Sequence, residues 1–375
     1  MSGTTILPLP PPNESRSAID SSRLLRSACL QHTEARHISP SPATPRANKA
    51  RLPLTQENIV FGIAVALFAV FSALLPNFLT AGNLLALVRS VSVLGILGIG
   101  MAIVVIGRGI DLAIIAIMAI SVAWALQLAN TGMSLALSLP LGLAFALACG
   151  VVAGVTIAYL DVPPLFATLA MAAVVSGFGH LFLLPLDQVQ VPRPKPGEGL
   201  DIGWIGAGSV LHVPVPILVF AAVAALAFGF LRGTKVGRFI YGVGDNLAAA
   251  RITGVPARPI LVLQYVLSAA TAYVAGVITA ASVSSLNTRV VNSTLIYDVI
   301  LVVVLGGIGL SGGRGGVRNV IVGTLLIGIL LNGMTIMDVQ YTLQNLVKSL
   351  ILLAAIVIDS VLNPRDEQTA QQGDI

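Results

Sequence analysis

The sequence contains very little charge. Only 10% of its 375 residues are Asp, Glu, Lys or Arg, whereas 56% are hydrophobic. A typical soluble domain carries about 25% charged residues, so this chain has too few to cover a globular surface in water. The composition therefore excludes an ordinary soluble protein and predicts that lipid surrounds most of the chain.

Lysine, cysteine and histidine are also scarce. None of the four lysines follows a glycine, which excludes the P-loop G-x-x-x-x-G-K-[ST] and therefore ATP binding by that motif. The two cysteines, Cys29 and Cys149, lie far apart, and the four histidines lack ligand spacing, so we expect neither a disulfide framework nor a metal site. The sequence predicts no enzyme, no catalytic residues and no cofactor bound by this chain. It also predicts no nucleic-acid partner, because its basic residues gather in a few loops.

Glycine, in contrast to charged residues, is abundant, and one stretch near residue 310 is especially rich in it. Residues 307–312 match the dinucleotide fingerprint G-x-G-x-x-G. That fingerprint needs an acidic residue about 20 positions later to hold a ribose hydroxyl. The next acid here is Asp338, and an apolar segment follows the glycines instead of an amphipathic crossover helix. We therefore interpret the match as accidental.

Long apolar runs dominate the rest of the chain. Each is near the roughly 20 residues that a helix needs to cross a bilayer. The fold class predicted is all-α, a polytopic membrane protein with about ten transmembrane helices. The ten segments are 58–76, 83–107, 110–129, 134–160, 164–185, 214–231, 259–282, 294–310, 318–336 and 341–362.

The predicted membrane domain covers residues 58–362. The residues on either side of it have a different composition. Residues 1–57 are rich in Pro, Ser, Thr and Arg and show no apolar periodicity, which predicts a disordered tail. A second short tail is predicted for residues 363–375.

Loop charges predict the orientation in the membrane. The segment 232–258 carries five basic residues and one acid, whereas 186–213 carries two basic residues and three acids. By the positive-inside rule, the first is cytoplasmic and the second external. Six predicted spans separate the basic tail from 232–258, so both termini are expected in the cytoplasm.

Three acidic residues lie within or beside predicted spans, where ionisable groups indicate function. Asp111, between Gly109 and an apolar run, allows two interpretations: a broken helix along a translocation path, or a tight cytoplasmic turn in which Asp111 caps the next helix. For Asp298 a helix-dipole role is favoured over a proton relay. Asp161 precedes two prolines and is expected to cap the next helix.

The segment 232–258 also holds an Ala-rich stretch. Asp245 and Asn246 predict the start of a short helix that reaches Ile252, and Gly254 and Pro256 predict its end. A small, smooth helix face of this kind suits docking into a groove of a partner protein.

Four stretches, in order along the chain, resemble motifs of the permease subunits of bacterial ABC importers for ribose and related monosaccharides. They are G-I-D-L at 109–112, P-L-F-A-T-L at 164–169, G-R-F-I-Y-G-V-G-D-N-L-A-A-A-R-I-T-G at 237–254 and L-G-G-I-G-L-S-G-G-R-G at 305–315. The resemblance spans about residues 59 to 362. It implies a type II ABC importer-like permease fold with broken helices, in a bacterial inner membrane.

The resemblance further implies two groups of site residues. The translocation path would include Gly109, Asp111, Phe166, Thr168, Gly306, Gly307, Gly312 and Gly313. Coupling to an ATPase would use Gly244, Asn246, Ala248, Ala249, Arg251 and Gly254.

The same resemblance implies the partners. They are a second permease chain, cytoplasmic ATPase subunits that bind ATP, an external solute-binding protein, and a monosaccharide or related polyol as substrate.

Two other functions stay open at this point. One is a secondary transporter driven by an ion gradient, with Asp111 or Asp298 as the coupling carboxylate. The other is a membrane scaffold without transport, against which stands the cost of glycines that break a span without use.

Overall fold

A computed structural model describes residues 56–192 and 201–362, and these residues are mainly helical. The predicted tails lie outside the described residues, except that Gln56 and Glu57 already belong to the first helix. Residues 193–200 of the predicted external loop also lie outside them.

Ten apolar helices follow the ten predicted segments. Among the described residues, seven helices are long and apolar enough to cross a membrane, and the fourth of these, α5 (Pro164–Phe178), is extended by a π-helical turn at Gly179–Leu183. The remaining three, α3, α11 and α13, are shorter apolar helices or have a shorter described apolar part, so the count of ten spans stays a prediction. The ten helices are α1 (Gln56–Leu74), α2 (Ala81–Ile106), α3 (Ile114–Asn130), α4 (Leu135–Tyr159), α5 (Pro164–Phe178), α7 (Val215–Gly233), α10 (Ala257–Val283), α11 (Leu295–Leu305), α12 (Val317–Ile336) and α13 (Tyr341–Leu362).

Short elements complete the chain. Before α7 they are the strand β1 (Gln188–Gln190), the helix α6 (Gly203–Ala207) and the strands β2 (Ser209–Val210) and β3 (Val213–Pro214). After α7 they are α8 (Lys235–Asp245), α9 (Leu247–Ile252), β4 (Ser285–Asn287) and a 3₁₀ turn at Thr288–Asn292.

The core is built around α2, α3 and α10, and small residues set how closely these helices pack. Gly150 and Gly154 of α4 face the backbone of α10: a Cβ at Gly150 would lie 2.7 Å from the Tyr265 carbonyl oxygen, and one at Gly154 2.7 Å from the Val262 Cα. Since lipid supplies no hydrophobic drive between helices, such close backbone approach is what holds membrane helices together.

The two short strand pairs lie between spans. β1 pairs antiparallel with β4, with Gln188 opposite Asn287, and β2 pairs with β3. Next to the first pair, the Arg289 Nε donates to the Asp187 Oδ2 at 2.7 Å. The His180 Nε2 lies 2.9 Å from the Thr288 hydroxyl oxygen. These contacts connect the residues before and within the predicted external loop to the 3₁₀ turn that follows β4.

The prediction that Asp161 caps α5 is wrong. The residue at the N-cap of α5 is Pro163, with no side-chain capping bond, and Asp161 adopts a left-handed φ of 52° in the preceding turn. Consecutive prolines preset the backbone for a helix start, which leaves no position for a capping carboxylate.

Asp298 lies in the first turn of α11, as a dipole role requires, but it also forms an ion pair. The Lys348 Nζ of α13 lies 2.9 Å from one carboxylate oxygen and 3.0 Å from the other, and both residues are buried. In lipid, a buried charge persists only with such a partner. The pair therefore fixes α13 to the helix that leads into the glycine-rich stretch.

Removing one member of this pair should destabilise the protein strongly. We expect Lys348→Met to lower the free energy of unfolding by about 3–5 kcal/mol, because the Asp298 carboxylate would stay buried without a cation. Thermal unfolding in detergent measures the effect. The double variant Asp298→Asn/Lys348→Met removes both charges and should recover much of the loss. Equal stability of the single variant and the wild type would contradict a structural role for the pair.

Candidate coupling and translocation site

The predicted Ala-rich helix is present and bounded as expected. α9 begins after Asn246, whose Oδ1 accepts a hydrogen bond from the Ala249 backbone N–H at 2.9 Å. It is followed by Gly254 at a left-handed φ of 81°, a conformation that favours glycine. Ala248 and Ala249 are exposed, so α9 presents the small, smooth face that docking requires.

A second helix, α8, precedes α9 and was not predicted. Thr234 caps it, with its hydroxyl oxygen accepting from the Gly237 N–H at 2.9 Å. Its buried residues, Gly237, Ile240, Val243 and Gly244, recur at intervals of three and four. That amphipathic spacing, together with the Thr cap, is the signal that could have revealed the helix.

Helix α8 ends against two helix breaks at once. One break lies at residues 107–113, between α2 and α3, and the other at 306–316, between α11 and α12. The Gly313 backbone N–H donates to the Ile106 carbonyl oxygen at 2.8 Å, which joins the two breaks directly. Gly244 of α8 lies on this hydrogen bond: a Cβ there would overlap the Ile106 oxygen and lie 2.7 Å from the Gly313 nitrogen. We call these three segments the junction.

A tyrosine adds a second link between α8 and the junction. The Tyr241 hydroxyl donates to the Gly315 carbonyl oxygen at 2.8 Å. Burial raises the pKa of this hydroxyl, an effect that the charge of Arg232 partly offsets. The hydroxyl therefore keeps its proton, and the bond to the second break is maintained at ordinary pH.

Glycines allow the second break to pack tightly. Gly312 and Gly313 have left-handed φ angles of 80° and 71°, and hypothetical Cβ atoms on them would press on α8 and on Arg108. Upstream, the Asn319 side-chain amide donates to the Gly306 carbonyl oxygen at 2.7 Å, which satisfies a group that the ended helix leaves free. The stretch binds backbone to backbone, with no phosphate-binding turn before an amphipathic helix, so the dinucleotide match was accidental.

The first break is held by a buried carboxylate. Asp111 is 1% exposed, and its Oδ1 accepts from the Ala113 N–H at 3.0 Å. The N-cap residue of α3 is Ala113, and no side chain caps this helix. Its Oδ2 accepts from the Ser268 hydroxyl of α10 at 2.6 Å, inside the protein, as irregular backbone at membrane depth requires. The Thr168 hydroxyl of α5 lies 3.2 Å from the Ile110 carbonyl oxygen. The predicted capping of α3 by Asp111 is therefore wrong, and a place for Asp111 on a translocation path stays a prediction.

Two α10 residues that the sequence did not single out line the first break. The Gln264 amide occupies the space that a Cβ on Gly107 would need, and the Tyr265 hydroxyl that of Gly109. Both side chains are buried, and neither polar group has a hydrogen-bond partner among the described residues. Their position became visible only once α10 was packed against the break.

The structure brings some of the predicted path residues together and separates others. Asp111, Gly109 and Thr168 lie at the first break, and Gly306, Gly307, Gly312 and Gly313 at the second. Phe166 is 63% exposed on the outer surface of α5, away from the junction.

The predicted coupling residues fall into an exposed group and one buried residue. Asn246, Ala248, Ala249, Arg251 and Gly254 are exposed on or beside α9. Gly244 is buried in the junction and cannot contact a docked partner.

Residues 83–356 match the family model for the permease component of the branched-chain amino acid transport system. This chain belongs to that permease family. It is therefore a multi-pass membrane protein and a transport component rather than an enzyme.

Curated relatives cover most of the chain. The ribose import permease of Escherichia coli K12 is 32% identical over 299 residues, which is 79% of this chain and 91% of that protein. The ribose import permease of Bacillus subtilis 168 is 33% identical over 295 residues, 78% of this chain and 89% of the relative. The L-arabinose ABC transporter permease of Azospirillum brasilense is 31% identical over 334 residues, 88% of this chain and 96% of the relative. No solved structure matches.

The close fit at Gly244 gives a testable expectation. We expect Gly244→Ala to lower the free energy of unfolding by about 1–3 kcal/mol, because the added methyl overlaps the backbone of both breaks. Gly242→Ala, two residues earlier in the same helix, is the matched control, since a Cβ there meets nothing within 4 Å. Thermal unfolding of the two variants in detergent measures the difference. Equal melting temperatures would contradict tight packing of α8 at Gly244 against the two breaks.

Proposed function

We propose that this protein is the transmembrane permease subunit of an ATP-driven ABC importer. It would translocate a monosaccharide or related polyol that an external solute-binding protein delivers. ATP would be bound by a partner subunit, not by this chain.

The junction is the observation that carries the proposal. A short exposed helix, α9, continues from α8, and α8 packs on the hydrogen bond that joins the two helix breaks. A force applied at Ala248 and Ala249 would therefore reach Gly244 over the length of a few residues. Breaks in membrane helices are where transporters place their substrate paths, so this geometry suits conversion of ATPase movement into alternating access.

The substrate class rests on the relatives. Their names assign ribose and L-arabinose to proteins that are 31–33% identical over most of this chain. These substrates are five-carbon sugars, which favours a monosaccharide here over an amino acid, despite the wording of the family description.

Partners follow from the same reading. A second permease chain, expected to be a copy of this one, would complete the path. The ATPase subunits would dock on α9. The solute-binding protein would dock on the opposite face, where β1 pairs with β4 and Arg289 binds Asp187.

The orientation is part of the proposal. Loop charge favours a cytoplasmic position for α8 and α9 and an external position for the β1–β4 pair. Both termini would then be cytoplasmic.

A gradient-driven transporter receives less support. Asp298, one of its two candidate carboxylates, is paired with Lys348, which holds the charge in place. Asp111 accepts two hydrogen bonds from neutral donors, which suits a fixed turn.

A pull-down tests the proposal. We expect an ATPase subunit with a P-loop to co-purify in stoichiometric amount with the detergent-solubilised wild-type protein. The double variant Ala248→Trp/Ala249→Trp should reduce this recovery by about tenfold or more, because two large side chains would fill the docking face and loss of 1.4 kcal/mol is already tenfold.

The matched control is Thr131→Trp, an exposed position at the far end of α3 from the junction. It should keep the partner. A wild-type protein that purifies without any ATPase, and still takes up sugar in response to an ion gradient, would contradict the importer and favour Asp111 as a coupling carboxylate.

A further inference from the structure

An open groove of about 400 Å³ lies beside α9, between the end of α4 and the start of α10. Its lining consists of two arginines, one tyrosine, two prolines and one alanine: Arg251, Arg258, Tyr159, Pro256, Pro259 and Ala257. The groove has no part in the junction, and the proposed function assigns it no role beyond the contact of Arg251 with an ATPase.

The two arginines are cations without an ionic partner. Arg289 and Lys348 each pair with an aspartate, but among residues 56–192 and 201–357 neither Arg251 nor Arg258 forms an ion pair. Asp161, close to the groove in sequence, pairs with neither of them in that part of the chain. Two neighbouring guanidinium groups repel each other and attract an anion, for which their planar forks suit phosphate oxygens.

The remaining lining residues restrict what can bind. The Arg258 guanidinium carbon lies 5.4 Å from the centre of the Tyr159 ring, a cation–π contact that holds the guanidinium in the groove. Pro256 and Pro259 have no backbone N–H to donate. The side chains of Arg251 and Arg258 are therefore the charged donors of the groove, beside the Tyr159 hydroxyl.

The depth of the groove indicates where the anion comes from. Tyr159 is the last residue of one candidate span, and Arg258 is the second residue of another. Both therefore lie at the boundary between membrane and water, where tyrosine and basic residues meet lipid headgroups. Leu160 and Ile252, next to the groove in sequence, are 69% and 87% exposed, so apolar surface flanks the arginines.

We propose that this groove binds the phosphate of an anionic phospholipid headgroup, with Arg251 and Arg258 as its ligands. Basic pockets between membrane helices on the cytoplasmic side are typical sites for such headgroups. The inference rests on the proposed orientation, in which this end of α4 and α10 is cytoplasmic. A bound lipid would link Arg251 of α9 to Arg258 at the start of α10.

Native mass spectrometry of the full chain tests this inference. The protein, in neutral detergent, is mixed with equal amounts of phosphatidylglycerol and phosphatidylcholine that carry the same acyl chains. We expect the wild type to retain phosphatidylglycerol preferentially. Arg251→Gln and Arg258→Gln should each weaken this retention about fivefold, which corresponds to ~1 kcal/mol per basic residue near an anionic headgroup.

The control variants separate a built site from general attraction. Lys235→Gln removes one exposed positive charge from the same segment but lies outside the groove, and it should retain the lipid as the wild type does. Arg258→Lys keeps the charge but loses the planar fork, and it should weaken retention. Equal losses in Lys235→Gln and in the arginine variants would overturn the proposal.

Three other results would also overturn it. Equal retention of both lipids would exclude a preference for an anionic headgroup over a zwitterionic one. Displacement of phosphatidylglycerol by inorganic phosphate at millimolar concentration would assign the groove to a free anion. Release of the lipid when ATPase subunits bind would assign both arginines to that interface. Only this last result requires ATPase subunits. The comparison of the two lipids needs neither sugar nor ATPase, so lipid retention by a permease that purifies without an ATPase would support this inference while the proposed function failed.

Discussion

The hydrogen bond between the Gly313 N–H and the Ile106 carbonyl oxygen is the contact on which the rest of the structure depends. Lipid offers no hydrogen bonds, so a chain that leaves its helix within a membrane must satisfy the freed backbone groups with other protein groups. Here each break supplies a partner for the other. This bond couples two segments that lie about 200 residues apart in the sequence.

That mutual dependence also explains the composition of α8. A helix can cover the bond only if its surface has no side chain there, and Gly244 provides such a surface. A protein interior is packed too densely to absorb a shift without response. In the proposed importer, displacement of α9 would therefore move α8 against both breaks together, and neither break could change its backbone alone.

The sequence was most informative where a single local pattern decides the structure. The apolar runs located the ten helices, and Asn246 and Gly254 bounded α9, because capping and positive φ are local properties. Contacts between distant segments left no such signal. Nothing near Gly244 in the chain indicates Ile106, nothing near Asp298 indicates Lys348, and Gln264 is an ordinary glutamine until α10 packs on Gly107. The prediction for Asp161 failed for a different reason. A local capping signal was present, but the two prolines after Asp161 determined where the helix begins.

The two buried carboxylates differ in a way that bears on mechanism. Asp298 is held by a cation, so its position is tied to α13. Asp111 is held by neutral donors from two different elements, Ala113 at the start of α3 and Ser268 in α10. Because α10 follows directly from the segment that contains α9, a shift of that segment along α10 must either stretch the bond between Ser268 and Asp111 or carry Asp111 with it. The first break thus has two connections to the exposed helix, one through Gly244 and one through Ser268. A movement that broke only the bond from Ser268 would leave a buried oxygen of the Asp111 carboxyl group without its donor, and this cost favours movement of the whole junction as a unit.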